Sequence, residues 1–198
     1  VYPPKIENCD NRLVERVYAK AHEMYGNPLP DLIKNRLEAE LKGIIKYGYS
    51  VQFFIASEIV RRANADGYIV GSRGSVGSSF VATMADITEV NALPPHYLCP
   101  KCKYLEQVND SNIKSGYDLP NKKCPHCGAD MMQDGQNLPF ATFLGFNAEK
   151  VPDIDLNFPG DYQGKAHLLT KEFLGDSGND AYRAGTIETV AEKTAYGF

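Results

Sequence analysis

The chain has 198 residues, of which 43% are hydrophobic and 23% charged, as expected of a soluble globular protein. A formal net charge of −4 excludes a broad basic surface, so any contact with nucleic acid must be local or come from other segments. No apolar run approaches the roughly 20 residues of a membrane span and no signal peptide is visible, so we expect no membrane partner. The chain begins at Val1 and ends at Phe198 inside a predicted helix, and we expect it to be a piece of a longer protein.

The first third of the sequence predicts three amphipathic helices, at about residues 10–25, 31–47 and 50–65. Apolar side chains recur in each at the spacing of one helical face, and a glycine follows each of the first two. Nothing in these helices requires chemistry. We therefore predict that residues 1–66 form a helical scaffold that leads into the rest of the fold.

A glycine- and serine-rich stretch, residues 71–79, follows a predicted strand at 67–70 and precedes a helix that begins at Phe80. A strand, a tight Gly/Ser turn and a helix N-terminus can bind phosphate, because backbone N–H groups point outward and the helix dipole favours an anion. Arg73 adds a permanently charged guanidinium. The stretch is not a Walker A loop, since no Gly-Lys-Ser/Thr follows. A tight turn before a serine-capped helix is an equally good interpretation.

Four of the five cysteines fall in two Cys-Pro-x-Cys pairs, Cys99/Cys102 and Cys124/Cys127, with 21 residues between the pairs. Each pair predicts a tight knuckle, and four thiolates can close a tetrahedral site around Zn²⁺. Such a closed shell leaves no position for a substrate, so we predict a structural zinc. The residues between the pairs look like a loop too poor in apolar side chains to fold without the metal. His126, between two of these cysteines, is an alternative ligand.

Residues 151–158 predict a strand that carries two acidic side chains. Three apolar residues alternate there with Asp153, Asp155 and Asn157, which is the period of two expected of a half-buried strand. The two carboxylates, about 7 Å apart at Cα, can converge on a shared cation. Hard oxygen ligands of this kind suit Mg²⁺. Asp-x-Asp is a short motif, and a solvated strand edge with two ordinary aspartates is the alternative.

Further elements are predicted on either side of this strand. They are a strand at 138–146, a helix at 161–174, and a strand at 182–187 that leads into a last helix. Arg183 and Lys193 are candidates for contacts with phosphate or a nucleic-acid backbone, and a solvated charge is an equally good interpretation of each.

Taken together, these motifs resemble the palm of bacterial C-family replicative DNA polymerases, specifically the PolC type of low-GC Gram-positive bacteria. The resemblance runs through nearly the whole chain, including the lead-in at residues 2–6. Its motifs are residues 70–79, 88–91 with 94–97, the four cysteines, 142–146, 152–158 and 182–187.

The resemblance implies an α+β fold similar to the polymerase β-like nucleotidyltransferases, a mixed sheet with helices on it. Residues 67–96 and 135–198 would form the palm core, and residues 97–134 a zinc-ribbon-like insert. The implied activity is template-directed addition of deoxynucleotides to a primer 3′ end, with release of pyrophosphate. The partners are then primer-template DNA and deoxynucleoside triphosphates. A sliding clamp and other replisome proteins would bind through other parts of the polymerase, at the nucleoid in the cytoplasm.

Carried over residue by residue, the resemblance assigns Asp153 and Asp155 to two catalytic Mg²⁺ ions. The phosphates of the nucleotide would be held by Gly71, Ser72, Gly74 and Ser75, with Arg73 as a helper. One structural Zn²⁺ would be held by Cys99, Cys102, Cys124 and Cys127. The family's third catalytic aspartate lies on a later strand, beyond Phe198, so we expect the chain alone to fold but to polymerise poorly or not at all.

Three rival functions remain open at this point. A nucleotidyltransferase acting on a small acceptor could use the same loop and acid pair. A zinc-ribbon interaction module would have no chemistry at all. An Asp-x-Asp glycosyltransferase is the third, and the order of the Gly/Ser loop before the acidic strand, with the zinc insert between them, counts against it.

Overall fold

The computed structural model describes residues 6–110, 112–146 and 149–174, together with residue 185. Its helices are α1 (Cys9–Tyr25), α2 (Asp31–Lys46), α3 (Ser50–Ala65), α4 (Phe80–Met84), α5 (Ala141–Leu144) and α6 (Gln163–Leu174). Its strands are β1 (Gly71–Arg73), β2 (His96–Leu98), β3 (Leu105–Gln107), β4 (Met132–Asp134) and β5 (Asp155–Asn157). Helices and short strands together give an α+β architecture, as the resemblance implies. The described residues form two separate antiparallel sheets rather than the expected mixed sheet.

The three N-terminal helices contribute a large part of the main hydrophobic core, and their predicted bounds are confirmed to within one residue. Helix α4 packs against α1 and α2 in the same core. The glycine after α2 ends that helix as expected, because Gly48 has a φ of +72°. The next N–H group, that of Tyr49, then donates to the carbonyl of Ile44 at 2.9 Å, which satisfies one of the last carbonyls of the helix.

The strand predicted at residues 67–70 is wrong, since β1 begins only at Gly71. The backbone of this segment caps α3 instead. Gly67 has a φ of +86°, and the N–H of Tyr68 donates to the carbonyl of Ala63 at 3.0 Å. Ile69 then stays 81% exposed. The strand therefore comes from within the Gly/Ser stretch itself.

The strand predicted at residues 138–146 is also wrong, because the chain forms the single helical turn α5 there. Phe143 and the residue after it are both buried, which the alternating pattern of a half-buried strand does not allow. Phe143 packs edge-on against Phe53 of α3, with ring centroids 6.0 Å apart. Gly145, at a φ of +81°, ends the turn. The apolar run thus docks on the main core as a helix.

Strands β1 and β5 form an antiparallel pair. Its register sets Gly71 opposite Asn157, Ser72 opposite Leu156 and Arg73 opposite Asp155. Of the strand predicted at residues 151–158, only Asp155–Asn157 forms one. The predicted alternation is confirmed in part, since the three apolar side chains pack against the hydrophobic cores and Asp153 and Asn157 are exposed, while Asp155 is half-buried. Leu156 contacts both the main core and a second core between α3 and α6, so it anchors the strand pair on the helices.

Strands β2, β3 and β4 form a separate antiparallel sheet in the order β3–β2–β4. It encloses a small third core of apolar side chains and two of the four paired cysteines. The residues between the cysteine pairs are therefore not a loop throughout, contrary to the prediction, since they include β3 and a 3-10 turn at Gly116–Asp118. Gly116 packs on the backbone of Asp134, where an added Cβ would lie 2.0 Å from the carbonyl oxygen.

Helix α6 confirms the helix predicted after the acidic strand, although it begins at Gln163 rather than at residue 161. It packs on α3 through the second core, around Tyr162 and Leu169. The loop, strand and last helix predicted after α6 lie outside the described residues, as do Arg183 and Lys193. Within the described ranges, no helix is both long enough and apolar enough to cross a bilayer.

Candidate functional site

The Gly/Ser stretch consists of an exposed half and a buried half. Residues 71–75 are exposed or half-buried, whereas residues 76–79 are buried. In the buried half the backbone passes close to its neighbours, since a Cβ added to Gly77 would lie 3.3 Å from the side chain of Val90. All five residues that the resemblance assigns to phosphate fall in the exposed half. They are the part of the stretch that a ligand can reach.

The exposed half lies directly beside the acidic strand β5. Arg73 is the ladder partner of Asp155, and directly opposed residues of an antiparallel pair project from the same face. Gly74 follows with a φ of +80°, and a Cβ added there would lie 3.3 Å from Oδ2 of Asp155. The structure therefore brings the predicted loop and one predicted acid together on one face, although they are far apart in sequence.

Ser72 projects from the other face of this ladder. Its hydroxyl donates to Oγ1 of the buried Thr88 at 2.6 Å, and that oxygen also accepts the N–H of Val90 at 3.2 Å. The ladder partner of Ser72, Leu156, packs into the cores on the same side. The Ser72 side chain thus supports the loop from within, and a contact of Ser72 with a ligand on the Asp155 face has to come from its backbone.

The short helix α4, which follows the loop, already has an anion at its N-terminus. The carboxylate of Glu40 in α2 is 0% exposed and accepts the N–H groups of Phe80 at 3.1 Å and Val81 at 3.0 Å. It also accepts the hydroxyl of Ser79 at 2.8 Å, and Ser79 in turn caps the helix by accepting the N–H of Ala82 at 3.1 Å. These α4 N–H groups, which the sequence offers to phosphate, bind an internal carboxylate instead.

Arg36 is the charged partner of Glu40, one helical turn earlier in α2, and its Nε donates to that carboxylate. Its Nη2 donates to the carbonyls of Ser78 and Leu138, each at 2.9 Å. Burial raises the pKa of the Glu40 carboxyl, while the Arg36 guanidinium and the N–H groups of α4 act in the opposite direction.

Sequence reasoning missed Glu40, although the sequence carries a signal for it. Glu40 falls on the buried stripe of α2, three residues after Leu37 and four before Ile44. A charged residue on an apolar stripe requires partners, because burying a carboxylate without one lowers the free energy of unfolding by about 3–5 kcal/mol. The sequence does not say where those partners lie.

The second predicted acid, Asp153, lies two residues before Asp155, outside the three residues of β5, and its side chain is exposed. Among the described residues, only one group of three or more His, Cys, Asp or Glu side chains has ligand atoms close enough to share a metal ion. That group consists of four cysteines and includes neither aspartate. The part of the chain that is described therefore supplies no third His, Cys, Asp or Glu side chain to the acid pair. Two carboxylates open to water and phosphate fit Mg²⁺, which usually takes few protein ligands.

The four paired cysteines converge on one point. Their Sγ atoms all lie within 4.8 Å of one another. Cys99 and Cys127 are 3.4 Å apart at sulfur, and Cys102 and Cys124 are 3.5 Å apart. Four sulfurs about 2.3 Å from a tetrahedral metal are about 3.8 Å apart, so the cluster has the size that a metal ion requires. The four residues can hold such an ion.

The two knuckles have the same backbone geometry. The N–H of Cys99 donates to the carbonyl of Tyr104, and the N–H of Cys124 donates to the carbonyl of Ala129, both at 2.8 Å. The fifth residue of each knuckle, Lys103 or Gly128, has a positive φ, 63° or 72°.

The Cys102 backbone N–H points at the sulfur of Cys99 and lowers the pKa of that thiol to about 6, whereas, against the backbone N–H of Tyr104, burial and the three neighbouring cysteines raise the pKa of Cys102 to about 12. A low thiol pKa favours the thiolate that binds metal. His126 does not belong to the ligand group. It is exposed and stacks on Tyr104 with ring centroids 4.3 Å apart, so the alternative of a histidine ligand is not supported.

Comparison with known proteins agrees with the motifs. The model of the bacterial DNA polymerase III alpha NTPase domain family matches residues 11–197. Over all 198 residues the chain is 57% identical to the DNA polymerase III PolC-type of Halalkalibacterium halodurans, 56% to that of Listeria monocytogenes and 55% to that of Bacillus subtilis. The chain spans 14% of the length of each of these relatives. The resemblance to the PolC type is therefore confirmed, and the chain belongs to the bacterial DNA polymerase III alpha family.

Proposed function

We propose that this chain is the palm segment of a DNA-directed DNA polymerase that extends primers during chromosomal replication. The observation that carries the proposal is the register of β1 with β5, which sets Arg73 opposite Asp155 and Gly74 against its carboxylate. In a member of the polymerase III alpha family, a Gly/Ser loop beside an acidic strand is the arrangement that a nucleoside triphosphate and its metal ions need. The fold would be of the polymerase β-like nucleotidyltransferase type.

The acid pair would hold the catalytic metal. Asp153 is exposed and Asp155 is half-buried, and Mg²⁺ usually takes only one or two carboxylates together with water and phosphate oxygens. Two Mg²⁺ ions held there would lower the pKa of the primer 3′-hydroxyl and neutralise charge on the triphosphate. The third carboxylate of the site would come from a part of the polymerase outside this chain, and we propose that the chain alone does not polymerise.

The exposed half of the Gly/Ser stretch would hold the β- and γ-phosphates. Gly71, Ser72, Gly74 and Ser75 would cradle the phosphate oxygens through backbone N–H groups that the β1–β5 ladder leaves free, because glycine lets the backbone approach a ligand closely. Arg73 projects from the Asp155 face and would pair with the triphosphate through its planar guanidinium. In this proposal Arg73 takes the direct side-chain role, while Ser72 binds through its backbone.

The cysteine cluster would bind one Zn²⁺ with a structural role. Four protein ligands complete a tetrahedral shell, so no position is left for a substrate. We propose that residues 97–134 form a zinc-stabilised insert, that residues 1–66 form a scaffold, and that residues 67–96 and 135–198 form the palm core. Cys99, Cys102, Cys124 and Cys127 would join the two ends of the insert.

The proposed partners follow from the activity. They are primer-template DNA and deoxynucleoside triphosphates, with a sliding clamp and other replisome proteins bound through other parts of the polymerase. The protein would work in the cytoplasm at the nucleoid. Because the net charge is −4, we propose that any DNA contact of this chain is local and that other parts of the polymerase supply the rest.

Calorimetric titration of a deoxynucleoside triphosphate with Mg²⁺ tests the nucleotide site directly. We expect metal-dependent binding to the chain that is lost in the Asp153→Asn, Asp155→Asn double variant. The matched control is Asp10→Asn, Asp31→Asn, which removes two exposed carboxylates from the helical scaffold and should leave binding unchanged.

Primer extension tests the proposed activity in the full-length polymerase that contains this sequence. Extension should require both Asp153 and Asp155 and a DNA template. Full activity in the double variant would refute the catalytic assignment. Transfer that ignores the template would favour a nucleotidyltransferase acting on a small acceptor.

A further inference from the structure

The buried Glu40 and the half-buried Arg36, an ion pair in the helical scaffold, make most of their hydrogen bonds outside their own helix. Glu40 is 0% exposed, and both of its oxygens accept N–H or O–H groups from residues 79–81. Arg36 donates to the carbonyl of Ser78 at 2.9 Å. Together the two side chains hydrogen-bond to residues 78–81, where the buried half of the Gly/Ser stretch leads into α4.

Arg36 also joins the two segments that lead into the site. Its Nη2 donates to Ser78 on the loop side and to Leu138 on the far side of the cysteine insert, each at 2.9 Å. The chain from Leu138 continues through α5 toward the acidic strand. One guanidinium thus fixes the spacing between the loop and the segment that carries the two aspartates.

We propose that Glu40 and Arg36 are positioning residues for the nucleotide site: they hold the loop in the single conformation that sets residues 71–75 against Asp155. The inference rests on the proposed function. A buried ion pair is a poor way to gain stability, because apolar side chains of similar volume usually do as well. A carboxylate and a guanidinium with fixed hydrogen bonds specify one backbone arrangement, which apolar side chains do not.

The test uses Glu40→Gln and Arg36→Lys in the full-length polymerase. Glu40→Gln keeps the shape but removes the charge, and Arg36→Lys keeps the charge but removes the fork that reaches two carbonyls. We expect the KM for the deoxynucleoside triphosphate to rise about tenfold in each variant, as for the loss of one charge-assisted contact. The KM for primer-template DNA should stay unchanged.

Ile44→Ala is the matched control. Ile44 lies one turn after Glu40 in α2 and is fully buried, and its side chain packs in the apolar core. It should lower Tm without raising the nucleotide KM. An equal rise in KM for Ile44→Ala, or no rise for Glu40→Gln and Arg36→Lys, would overturn the positioning role.

Amide hydrogen exchange separates this inference from the proposed function. In the same full-length protein, the backbone amides of residues 71–78 should exchange at least about tenfold faster in Glu40→Gln than in Ile44→Ala. The two variants are compared under conditions where their free energies of unfolding are equal. Unchanged exchange in Glu40→Gln refutes the positioning role whatever the protein catalyses. If the wild-type protein fails to extend primers, the proposed function is refuted. If Glu40→Gln still shows faster amide exchange in the loop, the positioning of the loop remains supported.

Discussion

The two candidate sites differ in how completely the described residues build them. The cysteine site has four ligand atoms within 4.8 Å of one another, and each pair of ligands comes from one short knuckle. The loop–acid site has Asp155 beside the loop, an exposed Asp153 and no third carboxylate among the described residues. A closed metal shell stabilises a fold, whereas a site for nucleotide must stay open to its substrate.

The sites also differ in what positions them. Backbone hydrogen bonds within residues 99–104 and 124–129 shape the knuckles, so their geometry is local. The register of β1 on β5 sets Asp155 beside the loop, and buried contacts from α2 fix the loop behind it. Damage to the first site should therefore stay within the insert, while damage to the second should appear as lost affinity for nucleotide.

The largest effect is expected from breaking the cysteine site. Cys124→Ser, or removal of zinc by a chelator, should reduce the zinc content from one per chain to none and unfold the insert. Structural zinc in small domains contributes about 10–16 kcal/mol of apparent binding energy. Atomic absorption gives the zinc content, and hydrogen exchange over residues 97–134 reports the unfolding.

Cys9→Ser is the control for this experiment, because Cys9 is buried at the start of α1, away from the cluster. Its zinc content should stay at one per chain. If the insert kept its protection from hydrogen exchange without zinc, its small apolar core would be sufficient to fold it. The cysteine site would then not be the one that stabilises the fold.

The next largest effect is expected at Gly74, where the loop meets the acid. Gly74→Ala places a Cβ 3.3 Å from Oδ2 of Asp155 at a φ of +80°. A left-handed conformation costs a residue with a Cβ about 1–2 kcal/mol, so the free energy of unfolding should fall by that amount in denaturant titrations. Binding of nucleotide with Mg²⁺ should weaken as well, since Asp155 must move.

Gly164→Ala provides the opposite result in the same assay. Gly164 lies in α6 with open space around its Cβ position, and alanine is the better helix former by about 1 kcal/mol. This variant should be as stable as the wild type or more stable, with unchanged nucleotide binding. Equal losses in both glycine variants would mean that Gly74 has no special constraint.

A pH effect of intermediate size should appear where the insert meets the main core. His96 in β2 is 0% exposed, its Nδ1 lies 2.8 Å from the carbonyl of Pro94, and its ring lies 6.1 Å from that of Tyr25. Burial lowers the pKa of His96 from its ordinary value of 6.5, against the effects of the Pro94 carbonyl and of Asp134.

Because the folded state holds His96 neutral, its contribution to stability is present above pH 6.5 and is lost as the pH falls through the lowered pKa. The free energy of unfolding of the zinc-loaded protein should fall by at most about 1.4 kcal/mol per pH unit in that window. His96→Gln should remove this slope, and the exposed His167→Gln should retain it. A slope that persists in His96→Gln would assign the effect to other groups.

The smallest effects should distinguish two neighbours in the loop. Ser72→Ala removes the hydrogen bond to Thr88 and should cost about 1 kcal/mol of stability, with nearly unchanged nucleotide affinity. Arg73→Ala should leave stability unchanged and weaken nucleotide binding about tenfold, because its guanidinium projects from the Asp155 face. Denaturant titration and calorimetry measure the two quantities separately. If Ser72→Ala weakened nucleotide binding and Arg73→Ala lowered stability instead, the two side chains would have to exchange faces of the ladder when nucleotide binds.

The sequence by itself determined the elements whose signals are local. The helices α1, α2, α3 and α6 follow from apolar side chains at helical spacing, and the glycine after α2 ends that helix by adopting a positive φ. The alternation around Asp153 and Asp155 predicted a half-buried strand, and the repeated Cys-Pro-x-Cys pattern predicted the knuckles. Each of these signals lies within a few residues of the structure that it forms.

Tertiary structure decided the rest, because it depends on which groups meet across the chain. Residues 67–70 do not form a strand because their backbone caps α3, and the run before Gly145 forms a helical turn that buries both Phe143 and Leu144. Only the folded chain shows that Ser72 and Arg73 project from opposite faces. Glu40 reads in the sequence as one more charge on a scaffold helix, and it becomes the anion at the start of α4 because packing removes its carboxylate from water and requires hydrogen-bond donors for it.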